Sequence, residues 1–286
     1  MDQISRAREL QAYCDSVRAE GGVIGLVPTM GALHEGHMRL IKVAKQECDL
    51  VVVSVFVNAL QFDNLQDLEK YPRTLEADLA FLRSAGVDLV FTPSSQEIHP
   101  EPILFHLEVD RLSELLEGAS RPGHFGGVVT VVAKLFTITG RCRAYFGEKD
   151  FQQLAIVSRM VEEIHFPIEI VPVPIVRDER GLALSSRNMR LDPEQLVAAL
   201  ALSRSLFLGR DAIAAGENDP GAIETLMSQE LVREIDGVAK SNHAVLDYAL
   251  VVDPRTLIRP KRIEGPVRLL VAAKVGGVRL IDNIGA

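Results

Sequence analysis

Hydrophobic positions in the first two thirds of the chain alternate between two textures. Short apolar runs at Val23–Val27, Leu50–Val57, Val87–Phe91, Ala144–Phe146 and Ile168–Val176 suit strands buried on both faces of a parallel sheet. Between them the apolar spacing becomes helical. Ala7, Leu10, Tyr13, Cys14 and Val17 predict a helix over Ser5–Glu20, which Gly21-Gly22 stops. From His34 onward Leu33, His37, Leu40 and Ile41 share a face with Met38 beside them, and Pro28 is expected to end the strand before this helix. Leu75, Leu79 and Leu82 predict a helix to about Ala85 closed by Gly86, Val128–Thr137 predicts another, and the turn Gly147–Gln153 leads into a helix that runs to about Ile164. Alternation over Ile103–Val109 predicts a further strand.

Repeated strand–turn–helix units of this kind imply an α/β fold, a Rossmann-like, mostly parallel sheet with helices on both faces and right-handed crossovers. Beyond Arg190 the texture changes. Helices are expected at Pro193–Ala215 and Pro220–Glu234, followed by a strand at Val245–Val252 and a pair at Val267–Ala273 and Gly277–Ile281. These predict a smaller C-terminal α+β domain, with the boundary in Asp178–Asn188, so that residues 1–183 form the first domain and 184–286 the second.

With 286 residues and 47% hydrophobic side chains, the chain is long enough to bury a full core. Its net charge of -8 argues against a broad phosphate-backbone contact surface, hence against a nucleic-acid partner. The three cysteines, Cys14, Cys48 and Cys142, are widely spaced with no CxxC, which suggests neither a disulfide framework nor a zinc knuckle and fits a reducing cytoplasm. No apolar run is long enough to span a membrane and no signal-peptide core is evident, so neither export nor membrane insertion is expected.

The stretch around which the chain is organised is VIGLVPTMGALHEGHMRL, Val23–Leu40. His34 and His37 lie three apart at a helix start, where unpaired backbone N–H groups and the helix dipole favour an anion such as a triphosphate. Gly36 leaves space for the flat face of a nucleotide. An ordinary surface pair, or half of a zinc site, would have the same spacing. Asn58 and Gln61 follow the second strand and could grip a hydroxy acid, or equally serve as turn and solvated residues. Lys149, Asp150 and Gln153 open another helix after a strand, where Asp150 also suits a plain cap. Ser185-Ser186-Arg187 combine small donors with a fixed charge suited to clamping polyphosphate, although an unremarkable loop would look alike. Asp78 is either a carboxylate beside a metal or a solvated helix charge, and Arg121 with His124 either meets phosphate or forms a structural pair.

The HEGH string resembles the HxGH signature of the nucleotidyltransferase superfamily. The fuller PTMGALHEGH, with FVNALQF, EGASRPGHFGGV, FGEKDFQQL and GLALSSRN in order, resembles the pantothenate synthetase (pantoate–β-alanine ligase) family over nearly the whole chain. Ala59 stands where that family usually has proline. The resemblance implies condensation of pantoate with β-alanine through pantoyl adenylate, with ATP as substrate, Mg2+ required, and a homodimer. It also implies that His34, His37 and Lys149 carry the catalysis, and that Met30, Gly31, Ala32, Leu33, Glu35, Gly36, Gly147, Glu148, Asp150, Val176, Leu184, Ser185, Ser186 and Arg187 complete the ATP site. Gln61, Gln153, Asn58 and Met30 would hold pantoate and β-alanine. Another HxGH adenylyltransferase and a non-catalytic ATP sensor are the alternatives.

Overall fold

A computed structural model describes residues 1–62, 68–69, 71–238 and 245–286, the side chains of 234–238 excepted. The chain forms two compact units, Met1–Gly147 with Gln152–Pro174, and Glu148–Phe151 with Ile175–Ala286.

In the first unit six strands form one parallel sheet: β1 (Asp2–Ile4), β2 (Ile24–Thr29), β3 (Leu50–Val55), β4 (Leu89–Phe91), β5 (Cys142–Gly147) and β6 (Ile168–Val173), in the order β1-β4-β3-β2-β5-β6. From β2 the chain steps outward through β3 and β4, then returns to the other side of β2 as β5. The order therefore reverses between β2 and β5, and ligands of open parallel sheets bind at such a point, beyond the carboxyl ends of the strands. The two motifs PTMGALHEGH and GEKDFQQL follow these two strands.

The strands are covered by α1 (Ala7–Ala19), α2 (Glu35–Glu47), α3 (Leu75–Ser84), α4 (His124–Thr139) and α5 (Phe151–Ile164). Alternate strand residues point to opposite faces. Val27, Val51, Val53, Val90 and Tyr145 pack under Leu40, Ile41 and Ala44 of α2 and Leu79 and Leu82 of α3. On the opposite face Phe146 meets Phe136 of α4 edge-on, with ring centroids 6.4 Å apart. Helices thus cover both faces, as the sequence implies.

Two local expectations are corrected. Pro28 does not end β2, which continues to Thr29: β2 pairs with β5 only at Gly25 and Leu26, so on that side the proline interrupts no ladder. Ile103–Val109 is not a strand. The N–H of Leu107 donates to the Thr130 hydroxyl on α4 at 2.9 Å, and the hydroxyl donates back to the Leu107 carbonyl at 3.4 Å, so at Leu107 the backbone is satisfied by a helix side chain and not by a neighbouring strand.

In the second unit α6 (Pro193–Ala214) and α7 (Pro220–Val238) lie on an antiparallel sheet of β7 (Val245–Val252), β8 (Arg268–Val275) and β9 (Val278–Gly285). Leu202, Leu206, Met227, Leu231, Val251, Leu269 and Val271 fill the space between them. Asp192 caps α6, accepting from the Gln195 N–H at 2.8 Å, while the Gln195 side chain accepts from the Asp192 N–H at 3.1 Å.

Candidate active site

His34 is the N-cap of α2. Its Nδ1 accepts from the Gly36 N–H at 3.1 Å, and its own N–H donates to His37 Nδ1 at 3.2 Å. Both Nδ1 atoms are acceptors, so in each neutral ring the proton sits on Nε2. The helix start therefore carries two Nε2–H groups on one turn, the rings 4.2 Å apart. A Cβ on Gly36 would lie 2.7 Å from His34 Cε1, so this glycine makes room for the capping ring, a role that spacing alone did not reveal.

The loop before the helix is clamped from below. Gly31 (φ 82°) and Ala32 (φ 51°) take left-handed conformations. The Asp78 carboxylate accepts from Ala32 N–H (3.1 Å), Leu33 N–H (2.8 Å) and the Thr74 hydroxyl (3.1 Å). Asp78 is only 3% exposed, so it is not the solvated helix charge that its position in α3 suggests.

Beyond β3, Ala59–Gln61 folds as a short 3-10 turn with Asn58 at its N-cap, and Asn58 and Gln61 are both buried. Asn58 Nδ2 donates to Gln61 Oε1 at 3.1 Å and to the Gly127 carbonyl of α4 at 2.9 Å, and Gln61 Nε2 donates to Met30 Sδ at 2.7 Å. Asn58 thus ties the turn to Gln61 and to α4. A Cβ on Gly127 would overlap the Leu60 carbonyl, so glycine is what lets the helix come this close. Arg121 and His124 donate to the Gln61 carbonyl, at 3.2 and 2.7 Å. Of the two glutamines opening α5, Gln152 is buried and bonded to the backbone of Leu112, Leu115 and Glu117. Gln153 is half-buried, and its side chain has no hydrogen-bond partner among the described residues.

In the second unit residues 148–150 form a 3-10 turn whose Glu148 and Lys149 carbonyls accept from Asn283 Nδ2 at 3.0 and 2.9 Å. Arg268 donates to Asn283 Oδ1 (2.7 Å) and Glu148 (2.9 Å) and lies over the Phe151 ring. Arg177 binds Asp282 through two hydrogen bonds, at 2.6 and 2.8 Å, and the Gly181 carbonyl at 3.0 Å. Leu184 N–H donates to the Val176 carbonyl at 2.9 Å, closing the turn that leads into Ser185. These contacts bring Lys149, Ser185 and Arg187 to the wall of one pocket with Asn188, Arg279 and Asp282. Ser186 and Asp150 do not line it, and Lys149 stands 3.7 Å from Asp150.

A parallel sheet whose switch-point strand runs into a capped HxGH helix defines a nucleotidyltransferase-type α/β protein. The family model for pantoate-beta-alanine ligase matches residues 2–285. Pantothenate synthetase of Moorella thermoacetica is 45% identical over 284 residues, covering 99% of this chain and 98% of its own. That of Acidobacterium capsulatum is 49% identical over 283 residues, covering 97% and 92%. Among solved structures, a pantothenate synthetase from Thermus thermophilus superposes with a TM-score of 0.89 at 42% identity, covering 99% of both chains. Pantoate-beta-alanine ligase from Francisella tularensis, complexed with beta-gamma ATP and beta-alanine, superposes with a TM-score of 0.78 at 33% identity, covering 99% and 97%. The chain belongs to the pantoate–β-alanine ligase family, and its activity is that of a carbon–nitrogen ligase of pantothenate biosynthesis. This supports the ligase over another adenylyltransferase or an ATP sensor.

Proposed function

We propose that the chain condenses pantoate with β-alanine in two steps on an ATP substrate. A pantoate carboxylate oxygen attacks the α-phosphorus, forming the acyl phosphate bond of pantoyl adenylate as pyrophosphate leaves. The β-alanine amine then attacks the acyl carbon, AMP departs with the bridging oxygen, and the amine gives up a proton as the amide forms. Neither step needs a covalent enzyme intermediate, so the protein's part is positioning and charge stabilisation.

The observation that carries this reading is the pair of Nε2–H donors of His34 and His37 on the turn following the switch-point strand. We assign these to the ATP phosphates, together with Lys149, Ser185, Ser186 and Arg187. Met30, Gly31, Ala32, Leu33, Glu35, Gly36, Gly147, Glu148, Asp150, Val176 and Leu184 are assigned to the remainder of the nucleotide site. Gln61 and Gln153, with Asn58 and Met30, are assigned to pantoate and β-alanine; the Gln153 side chain, with no hydrogen-bond partner among the described residues, is available to a ligand. Mg2+ would enter with ATP and screen the triphosphate charge from the attacking carboxylate. Among the described residues no group of three or more His, Cys, Asp or Glu gathers, and both Asp78 oxygens already serve the loop. The remaining assignments are a homodimer, supported by the exposed run Ile103-Leu104-Phe105 (Leu104 88% and Phe105 73% exposed), and a cytoplasmic location, supported by three free thiols. No helix among the described residues is long and apolar enough to cross a membrane.

Single-turnover formation of pantoyl adenylate by His37→Ala tests the assignment. The rate should fall by about 100-fold or more at saturating MgATP, with pantoate affinity nearly unchanged. A rate within about threefold of wild type would remove His37 from the chemistry.

A further inference from the structure

Behind Gln61 a chain of buried polar groups continues away from the HxGH helix. His99 is 4% exposed, and its Nε2 lies 2.9 Å from Asn58 Oδ1. Its Nδ1 lies 3.3 Å from Lys134 Nζ, which also donates to the Ile98 carbonyl at 2.6 Å. An ammonium can only donate, so His99 Nδ1 must accept, and the single proton of the neutral ring sits on Nε2, donating to Asn58 Oδ1. Burial, with Lys134 alongside, pushes the His99 pKa down to about 4, which keeps the ring neutral.

At its other end the Asn58 amide faces the Gly127 carbonyl, which can only accept, so Nδ2 must point there. Two independent partners therefore fix the same orientation of Asn58. Its second N–H then meets Gln61 Oε1, which leaves Gln61 presenting its NH2 group, now on Met30 Sδ, as a pair of donors. Without this chain the Gln61 amide could turn over and offer an acceptor, which a carboxylate substrate would repel.

We infer that His99, oriented by Lys134, is a positioning residue that, through Asn58, makes Gln61 a donor toward the substrate acid. The inference rests on the assignment of Gln61 to pantoate. It makes the site selective for an acid that offers oxygen acceptors at that point.

Steady-state kinetics of Gln61→Ala, His99→Leu, His99→Gln and the His99→Leu/Gln61→Ala double variant test it. Gln61→Ala should raise the pantoate KM by about 10-fold or more. His99→Leu should raise it in the same direction, by about 3-fold or more and with the ATP KM unchanged, because the Gly127 carbonyl alone is left to hold the Asn58 amide while the buried Asn58 oxygen loses its donor. His99→Gln, whose amide can accept from Lys134 and donate to Asn58, should restore the wild-type value. The double variant should match Gln61→Ala alone, because both changes act through one contact. If Gln61→Ala leaves the pantoate KM unmoved, the pantoate assignment itself fails. If Gln61→Ala raises it and His99→Leu does not, or His99→Leu raises the ATP and pantoate KM alike, the positioning role is overturned. Should His99→Leu not fold, long-range 15N–1H NMR of the wild type decides: an Nε2–H tautomer between pH 6 and 8 is expected, and an Nδ1–H ring overturns the relay.

Discussion

Replacing Asp78 with asparagine separates a loop clamp from a metal ligand. The carboxylate accepts three hydrogen bonds, two of them from the Ala32 and Leu33 N–H groups of a loop held at positive φ. An asparagine keeps the shape but has one oxygen. If that oxygen takes the place that serves Ala32 and Thr74, the NH2 group faces the Leu33 N–H, donor against donor, in a buried site. The loss of a charge-assisted bond, at about 1.5–3 kcal/mol, plus the weakening of the remaining two, predicts a cost of about 2–4 kcal/mol. Because the loop leads into His34, the same change should raise the ATP KM and lower the adenylation rate by about 10-fold or more. The assay is urea unfolding paired with adenylation rates over a Mg2+ titration. A clamp predicts lost stability and an unchanged half-saturating Mg2+ concentration. Full stability with a large rise in the Mg2+ requirement would refute the clamp and restore Asp78 as a metal ligand.

Gly127→Ala should lower the thermal midpoint and raise the pantoate KM, since its Cβ would overlap the Leu60 carbonyl and push the 58–61 turn off α4; calorimetry and pantoate kinetics check both. Asn283→Ala removes the amide that holds the Glu148 and Lys149 carbonyls and should raise the ATP KM by about 5- to 10-fold while sparing pantoate, as steady-state kinetics will show. His99, with its pKa lowered from 6.5 to about 4, binds its proton more readily in the unfolded chain. Its share of stability is therefore complete above about pH 6.5 and is lost as the pH falls through 4, up to about 3 kcal/mol. Urea midpoints between pH 7 and pH 4 should fall less steeply in His99→Gln than in wild type. Amide exchange at 185–187 should slow when MgATP is added, and unchanged protection would argue against closure of that loop over ATP.

The strands were legible because β2, β3 and β5 lie inside a sheet covered on both faces, which demands unbroken apolar runs. The HxGH and GEKD turns were legible because they stand directly after such runs. Other features depend on partners far away in sequence. Pro28 sits within a strand because β5 pairs with only part of β2, and Ile103–Val109 alternates like a strand yet its Leu107 backbone bonds Thr130 of α4 and no neighbouring strand. Three residues, Asp2–Ile4, are too few to show a period, and β1 exists only because β4 offers an edge. The second unit takes in 148–151 and begins at Ile175, where spacing suggested 183/184, because Asn283 and Arg268 on the C-terminal sheet hold that turn. Within the site, motif letters marked His34, His37 and Gln61 but not what orients them. Asp78 looked like a helix surface charge, and His99 and Lys134 belong to no motif, so only the fold joins them to Asn58.

The central claim is that pantoate is activated on its carboxylate by adenylation, and the fate of that carboxylate oxygen tests it most directly. With [carboxyl-18O2]pantoate, ATP, Mg2+ and β-alanine, mass spectrometry of the products should find one 18O in AMP and one in the amide carbonyl of pantothenate, with pyrophosphate unlabelled. AMP free of 18O, or label in pyrophosphate or inorganic phosphate, would contradict it.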